Sequence, residues 1–232
     1  MSRSKLKRPA HRQVTELLAG LDRGFLEDAK CYFAGGTRIV LELGEYRESK
    51  DIDFLCSSQD GYRRLRETVS EHSLGAIVVG DLVLSREVRA DQYGIRTFFA
   101  SGEIKIKFEI VREARIVLDG EYVEGLAVAC LGRKHCFAEK FLANADRGLD
   151  ASTLSRDIVD LAFMIEGWPR SDAVEGLAMA RDAYGESIGR ALAAVTRKMR
   201  EDKAYRNRCV EGLAISDSKV MNAGLKTLGA LA

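Results

Sequence analysis

The 232-residue sequence has no apolar run approaching the roughly 18 residues of a membrane span, so no membrane partner is expected. It has no Cys-x-x-Cys pair, and its cysteines are odd in number: Cys31, Cys56, Cys130, Cys136 and Cys209. A chain this long can bury its own core, so a disulfide framework is not expected and a reducing, cytoplasmic compartment is. Cys31 and Cys130 sit inside apolar runs and read as small core residues. His135-Cys136 has no matching ligand pair elsewhere, which argues against structural zinc. No Gly-x-Gly-x-x-Gly follows a first strand, which disfavours a dinucleotide-binding dehydrogenase. No Gly-Lys-Ser/Thr is present, which excludes a P-loop NTPase. There is no internal repeat, no low-complexity segment and little net charge: 36 Lys and Arg stand against 35 Asp and Glu. Bulk charge is therefore silent about partners, and any nucleic-acid contact must come from local clustering.

Some clustering is present. Arg3, Lys5, Lys7, Arg8 and Arg12 form a basic N-terminal arm, and no apolar stretch of the signal-peptide kind follows it. The arm reads either as a frayed terminus or as a nucleic-acid-binding extension.

Periodicity divides the chain near residue 130. The fold class is α+β: a mixed or antiparallel-sheet domain over 1–130, then a helical domain over 131–232. In the first part, His11 to Asp28 reads as one helix, with Val14, Leu17, Leu18, Leu21 and Phe25 at helical spacing. The apolar run from Cys31 to Ala34 leads into a glycine pair, and Thr37 to Leu43 reads as a short helix that Gly44 stops. Asp51 to Cys56 alternates as a strand, and Gly61 to His72 as an arginine-rich amphipathic helix. Residues 76–129 carry three or four antiparallel strands. The clearest is Glu103 to Ile110, with its even positions on one face and Lys105, Lys107 and Glu109 on the other. Beyond Leu131, helical spacing covers Arg133 to Arg147, Thr153 to Glu166, Ser171 to Tyr184 and Ser187 to Lys203, with a break at Trp168-Pro169.

The chemistry centres on residues 32–54. A Gly35-Gly36 pair between strand and helix lets backbone N–H groups approach an anion without Cβ obstruction, and the helix N-terminus points positive charge at it. Thr37 can cap that helix or donate to a phosphate. Alone, this pattern is also an ordinary tight turn. Asp51 and Asp53 on a strand share a face, about 7 Å apart by strand rise. Their repulsion falls when a divalent cation binds, and Mg²⁺ favours carboxylates with substrate phosphates completing its shell. Ser49 lies two residues before them. Glu109 can add a third carboxylate, as metal ligand or as base; the alternative is a surface ladder with Lys105 and Lys107.

These residues resemble the polymerase-beta-type nucleotidyltransferase superfamily, and more narrowly the AbiEii/AbiGii toxin family. The likeness rests on Phe33-Ala-Gly-Gly-Thr37, on Arg47-Glu-Ser49-Lys-Asp51-Ile-Asp53-Phe54 and on Lys107-Phe-Glu109-Ile. It continues in Glu139-Lys140-Phe-Leu, Arg147, and Arg156-Asp157-Ile-Val-Asp160-Leu161, and spans roughly residues 30–165. Thr37 stands where many members carry Ser, and Glu109 where many carry Asp. The resemblance implies Asp51, Asp53 and Glu109 as holders of one or two Mg²⁺ ions. It implies Gly35, Gly36, Thr37 and Ser49 around the nucleotide. Lys140 becomes a catalytic or phosphate-binding charge oriented by Asp157; the plainer alternative is an interhelical salt bridge.

The implied reaction is transfer of an NMP from a nucleoside triphosphate to an acceptor. The acceptor is an RNA 3′-hydroxyl, that of tRNA among them, in a toxin–antitoxin or phage-defence setting with a cognate antitoxin protein. Two other readings stay open: a protein AMP-transferase, and a catalytically silent NTP- or RNA-binding module. Arg190, Arg197, Lys198, Arg200, Lys203, Arg206 and Arg208 offer an RNA phosphate surface, but interspersed Asp182, Glu186, Glu201 and Asp202 fit a solvated helix face equally.

Overall fold

A computed structural model of the chain describes residues 6–231. Arg3 and Lys5 of the basic arm lie outside the described residues. The chain divides into two compact units. One runs to Leu41 and resumes over Ser49–Gly132, and the other joins Glu42–Glu48 to the chain from Arg133 onward.

The first unit is built on a mixed seven-stranded sheet. Helices α1 (Pro9–Ala19) and α2 (Arg23–Asp28) precede strand β1 (Cys31–Ala34) and helix α3 (Gly35–Glu42). Strand β2 (Ile52–Cys56) and helix α4 (Gln59–Thr68) follow, then β3 (Arg89–Ala90), β4 (Gly94–Ser101), β5 (Ile104–Arg112), β6 (Gly120–Glu121) and β7 (Cys130–Leu131). Their spatial order is β3-β4-β5-β2-β1-β7-β6. The β4–β5 hairpin is antiparallel, as alternation predicts, yet β5 joins β2 in parallel, and β7 joins β1 in parallel. Parallel neighbours leave no local sequence mark, because their partners come from distant segments.

Two expectations need correction. The helix read over His11 to Asp28 is two helices. Asp22 accepts a hydrogen bond from the Phe25 N–H and so caps a new start, while its own N–H is taken by the Ile77 carbonyl. The helix read from Gly61 begins earlier, at Gln59, where Ser58 caps the Gly61 N–H.

The sheet's two faces differ sharply. Phe33, Phe54, Phe108 and Phe99 run across β1, β2, β5 and β4 on the buried face, with successive ring centroids 5.7, 6.0 and 5.1 Å apart. All four are fully buried, with Ile52, Ile95, Ile106 and Ile110 between them. Because side chains alternate along each strand, the residues between these project from the opposite face. Register then sets a lateral row there: Ala34 beside Asp53, Asp53 beside Glu109, Glu109 beside Arg96, and Arg96 beside Arg89.

The second unit is helical: α5 (Arg133–Arg147), α6 (Arg156–Gly167), α7 (Arg170–Tyr184), α8 (Ser187–Glu201), α9 (Lys203–Gly212) and α10 (Ser218–Leu228). Trp168-Pro169 separates α6 from α7, and Asp202 and Asp217 cap α9 and α10 through the N–H groups of Tyr205 and of Lys219 and Val220. Helix α10 lies so close to α6 that a Cβ at Gly224 would stand 2.0 Å from the Ala162 carbonyl oxygen. Among the described residues, no helix is long and apolar enough to cross a membrane.

Helix propensity alone favours Gly224→Ala by about 1 kcal/mol. The close approach to Ala162 reverses that sign, because overpacking a helix contact costs about 1–3 kcal/mol. Urea denaturation followed by circular dichroism is expected to show Gly224→Ala destabilised.

Candidate active site

The strand–glycine–helix turn places the first group. Gly35 holds φ at +72°, a region costly for side chains other than glycine, and so swings the chain from β1 into α3. A Cβ at Gly35 would stand 2.6 Å from Oδ2 of Asp53, so the bare backbone and the carboxylate occupy one small space. Gly35 and Gly36 are partly exposed, while Thr37 is fully buried. The Thr37 hydroxyl is hydrogen-bonded to the Ser49 hydroxyl at 2.8 Å, which ties the start of α3 to the segment leading into β2. The Ser49 N–H donates to Nε2 of buried His11 at 3.3 Å.

Asp53 is half-buried on β2, directly in register with Glu109 on β5. Asp51 lies one residue before the strand and is also half-buried. The expectation that it belongs to the strand is corrected: the ladder begins at Ile52, opposite Phe108.

Glu109 is tightly held. Arg96 donates from Nε to Oε1 at 2.6 Å, and the Lys107 ammonium reaches Oε2. Partial burial alone would raise its pKa, but hydrogen bonds from Lys107 and Arg96 outweigh that and hold the carboxyl below its ordinary value. Glu109 is thus ionised with both oxygens engaged. Among the described residues, no three His, Cys, Asp or Glu side chains stand together as a metal-holding group. The expected set of Asp51, Asp53 and Glu109 does not stand together as such a group, and Glu109 is engaged by Arg96 and Lys107.

The donor chemistry still suits a hard divalent cation. Carboxylate oxygens are what Mg²⁺ prefers, and the Gly35 cradle leaves room beside Oδ2 of Asp53 that a Cβ would fill.

The helical unit carries a second charged constellation. Arg47 donates from Nε and Nη2 to the two oxygens of Asp160 at 2.7 and 2.8 Å, and the Tyr46 hydroxyl donates to Oδ1 at 2.6 Å. Lys140 bridges Asp157 Oδ1 at 2.9 Å and Asp160 Oδ2 at 2.6 Å. Arg147 forks onto Asp157 at 2.8 and 3.1 Å. All but Arg147 are buried. Burial alone would push both carboxyls up; Lys140 and Arg147 at Asp157, and Arg47 and Lys140 at Asp160, drive them below the usual carboxylate range. Lys140 is lowered by burial but raised further by Asp157 and Asp160, so it stays charged.

The expected pair Lys140 and Asp157 therefore exists as an ion pair between α5 and α6. Its full extent is not visible in the spacing, since Tyr46 and Arg47 reach Asp160 from more than a hundred residues away. Arg96 is likewise absent from the sequence reading; only its register opposite Glu109 identifies it.

Comparison with known proteins identifies the family. The family model described as nucleotidyl transferase AbiEii toxin, Type IV TA system, matches residues 16–214. No curated protein matches. The crystal structure of JHP933 from Helicobacter pylori shares the fold with a TM-score of 0.54 at 16% identity, covering 98% of this chain and 91% of that one. An antigenic nucleotidyltransferase-like protein from Paracoccidioides brasiliensis gives a TM-score of 0.44 at 13% identity, over 94% and 99% of the two chains.

Asp160→Asn leaves Arg47 and Lys140 buried with only one carboxylate, Asp157, among them, which costs roughly 3–5 kcal/mol. The depressed carboxyl stabilises the fold fully above its unfolded pKa near 3.9, and that contribution is lost as pH falls toward its lower folded value. Denaturation at pH 7 is expected to show the full penalty, and the gap between Asp160→Asn and the parent is expected to narrow below about pH 4.

Proposed function

The chain belongs to the AbiEii nucleotidyltransferase toxin family of Type IV toxin–antitoxin systems, and on that premise we propose that it moves an NMP from a nucleoside triphosphate onto an RNA 3′-hydroxyl in a Mg²⁺-dependent reaction. The family implies a nucleotidyltransferase with an NTP substrate and an antitoxin partner. The observation that carries the finer reading is the placing of Asp53: against the glycine backbone on one side and in register with Glu109 on the other.

Each residue has a task in this proposal. Gly35 and Gly36 present backbone to the triphosphate, and the start of α3 adds its positive end. Thr37 and Ser49, already bonded to each other, fix the cradle's shape and offer a hydroxyl hydrogen to a phosphate oxygen. Asp53 and Asp51 would hold the Mg²⁺, and Glu109 would add a third carboxylate if released from Arg96 and Lys107. When bound, Mg²⁺ lowers the pKa of the attacking hydroxyl and offsets charge developing on the α-phosphate and the departing pyrophosphate. The 3′-oxygen forms its new bond to the α-phosphorus as the bond to the bridging oxygen breaks, and the hydroxyl proton passes to a carboxylate of the site or to water. Positioning and electrostatics dominate, because the protein forms no covalent bond of its own.

Lys140 and Asp157 act in this reading as a positioning pair. Lys140 has its ammonium on two carboxylates, so it is a poor candidate for a free phosphate-binding charge until one of them is displaced.

The test is an incorporation assay with each of four α-labelled NTPs, Mg²⁺ and total RNA. Labelled RNA is expected from the parent chain and none after chelation. Asp53→Asn and Asp51→Asn are each expected to lose more than the roughly 10²–10³-fold of one missing hydrogen-bond donor, with unchanged circular dichroism. Label appearing in protein instead of RNA would redirect the acceptor, and an active Asp53→Asn would sink the site.

A further inference from the structure

The lateral row that holds Asp53 and Glu109 does not end with them. It continues through Arg96 on β4 to Arg89 on β3, one strand spacing of about 4.8 Å at each step. The next row on the same face pairs Lys107 with Phe98. Residues 83–86 run beside β4: Ala100 and Ser85 donate backbone hydrogen bonds to the carbonyls of Val83 and Phe98, and the Thr97 hydroxyl donates to the Arg86 carbonyl. Together these elements wall an open groove of about 600 Å³, lined by Arg86, Glu87, Arg89, Arg96, Thr97, Phe98 and Lys107. Four cations face one carboxylate there, in a chain whose overall charge is +1.

The cations fall into two kinds. Arg96 and Lys107 are committed to Glu109, and Arg96 also reaches Asp91 at 3.3 Å. Arg86 and Arg89 are exposed, and Arg86 lies over the half-buried Phe98 ring at 4.8 Å. With Arg96 and Lys107 held by Glu109, the exposed Arg86 and Arg89 still outnumber Glu87 in the groove lining, a surplus that an entering anion offsets. An aromatic ring among arginines is also the combination that holds unpaired bases and their phosphates.

We propose that this groove binds the acceptor RNA strand just upstream of its reacting 3′ end, with phosphates on Arg86 and Arg89 and a base on Phe98. Arg96 and Lys107 stand between groove and site. They neutralise Glu109 while the groove is empty and turn to the strand's phosphates as it fills, which frees the carboxylate. The inference rests on the transfer reaction proposed above, but it assigns residues that reaction does not use. Single-stranded nucleic acid is favoured over an acidic protein by the ring, and by the row that leads from Arg89 to Asp53 without interruption. A strand lying along that row brings its end to the carboxylates.

The test uses the full chain and a short fluorescent single-stranded RNA, with affinity read by anisotropy across a salt series. Arg86→Gln combined with Arg89→Gln is expected to weaken binding at least ~10-fold. It is also expected to flatten the slope of log affinity against log salt by about 1.4, at about 0.7 per phosphate contact on a single strand. Phe98→Leu is expected to weaken binding ~5-fold or more. NTP affinity, measured by calorimetry, is expected to stay at the parent value in both variants. Parental RNA affinity in the double variant would overturn the groove while leaving the transferase reading intact. Loss of NTP affinity instead would assign the groove to the triphosphate and overturn the proposal. Polyglutamate displacing RNA as effectively as polyuridylate would assign it to an acidic protein, and overturn it too. A parent chain that binds no RNA would overturn both groove and RNA acceptor. Groove-dependent RNA binding without any nucleotide transfer would support the groove and sink the reaction.

Discussion

The carboxylate of Asp53 and the backbone of Gly35 compete for one small space, and much of the first unit's arrangement follows from letting both have it. Only a residue without a side chain fits there, and only one that tolerates φ of +72° can turn β1 into α3 at that point. On the strand side, the aspartate's position is set by its neighbours. Ile52 and Phe54 are fully buried on the opposite face, so Asp53 has to project into the turn. The aromatic row beneath the sheet is therefore what aims the carboxylate, and the glycine is what keeps the cradle open.

Register adds a second constraint. Placing Glu109 directly beside Asp53 juxtaposes two carboxylates, an arrangement that is unfavourable unless positive charge is near. Arg96 and Lys107 supply it here. A divalent cation could supply it equally well, so the same pair of acids is compatible with two partners that exclude each other. In the helical unit the logic differs. There the charges other than Arg147 are buried, and three cations share two carboxylates so that none is left alone. Such a network adds little stability over an apolar core of the same shape, but its partial loss is costly, which makes it a device for fixing geometry.

Much of this was legible in the sequence because it depends on local rules. The alternation of Asp53 with Ile52 and Phe54, the alternation from Ile104 to Ile110, and the glycine pair before Thr37 each reflect which side of an element faces the core. Helix α5 likewise agrees with its periodicity at both ends. What escaped depends on partners distant in the chain. The Asp22 cap splits a continuous apolar pattern, since periodicity does not register a single hydrogen bond to Phe25. Arg96 meets Glu109 only through strand pairing, and Arg47 meets Asp160 across 113 positions of sequence. The parallel joining of β5 to β2 brings Glu109 to Asp53 and has no counterpart in local composition.

The central claim is that Asp53, seated against Gly35, is the anchor of a divalent cation and that Glu109 exchanges its cations for it. The most direct measurement is a crystal structure grown with Mn²⁺, a non-hydrolysable NTP and a short single-stranded RNA, with the metal located by anomalous scattering. The account predicts a peak within about 2.0–2.2 Å of an Asp53 oxygen, the triphosphate on Gly35 and Gly36, and Glu109 released from Arg96 and Lys107. A metal bound elsewhere, with Asp53 uncoordinated and Glu109 still paired to both cations, would contradict it.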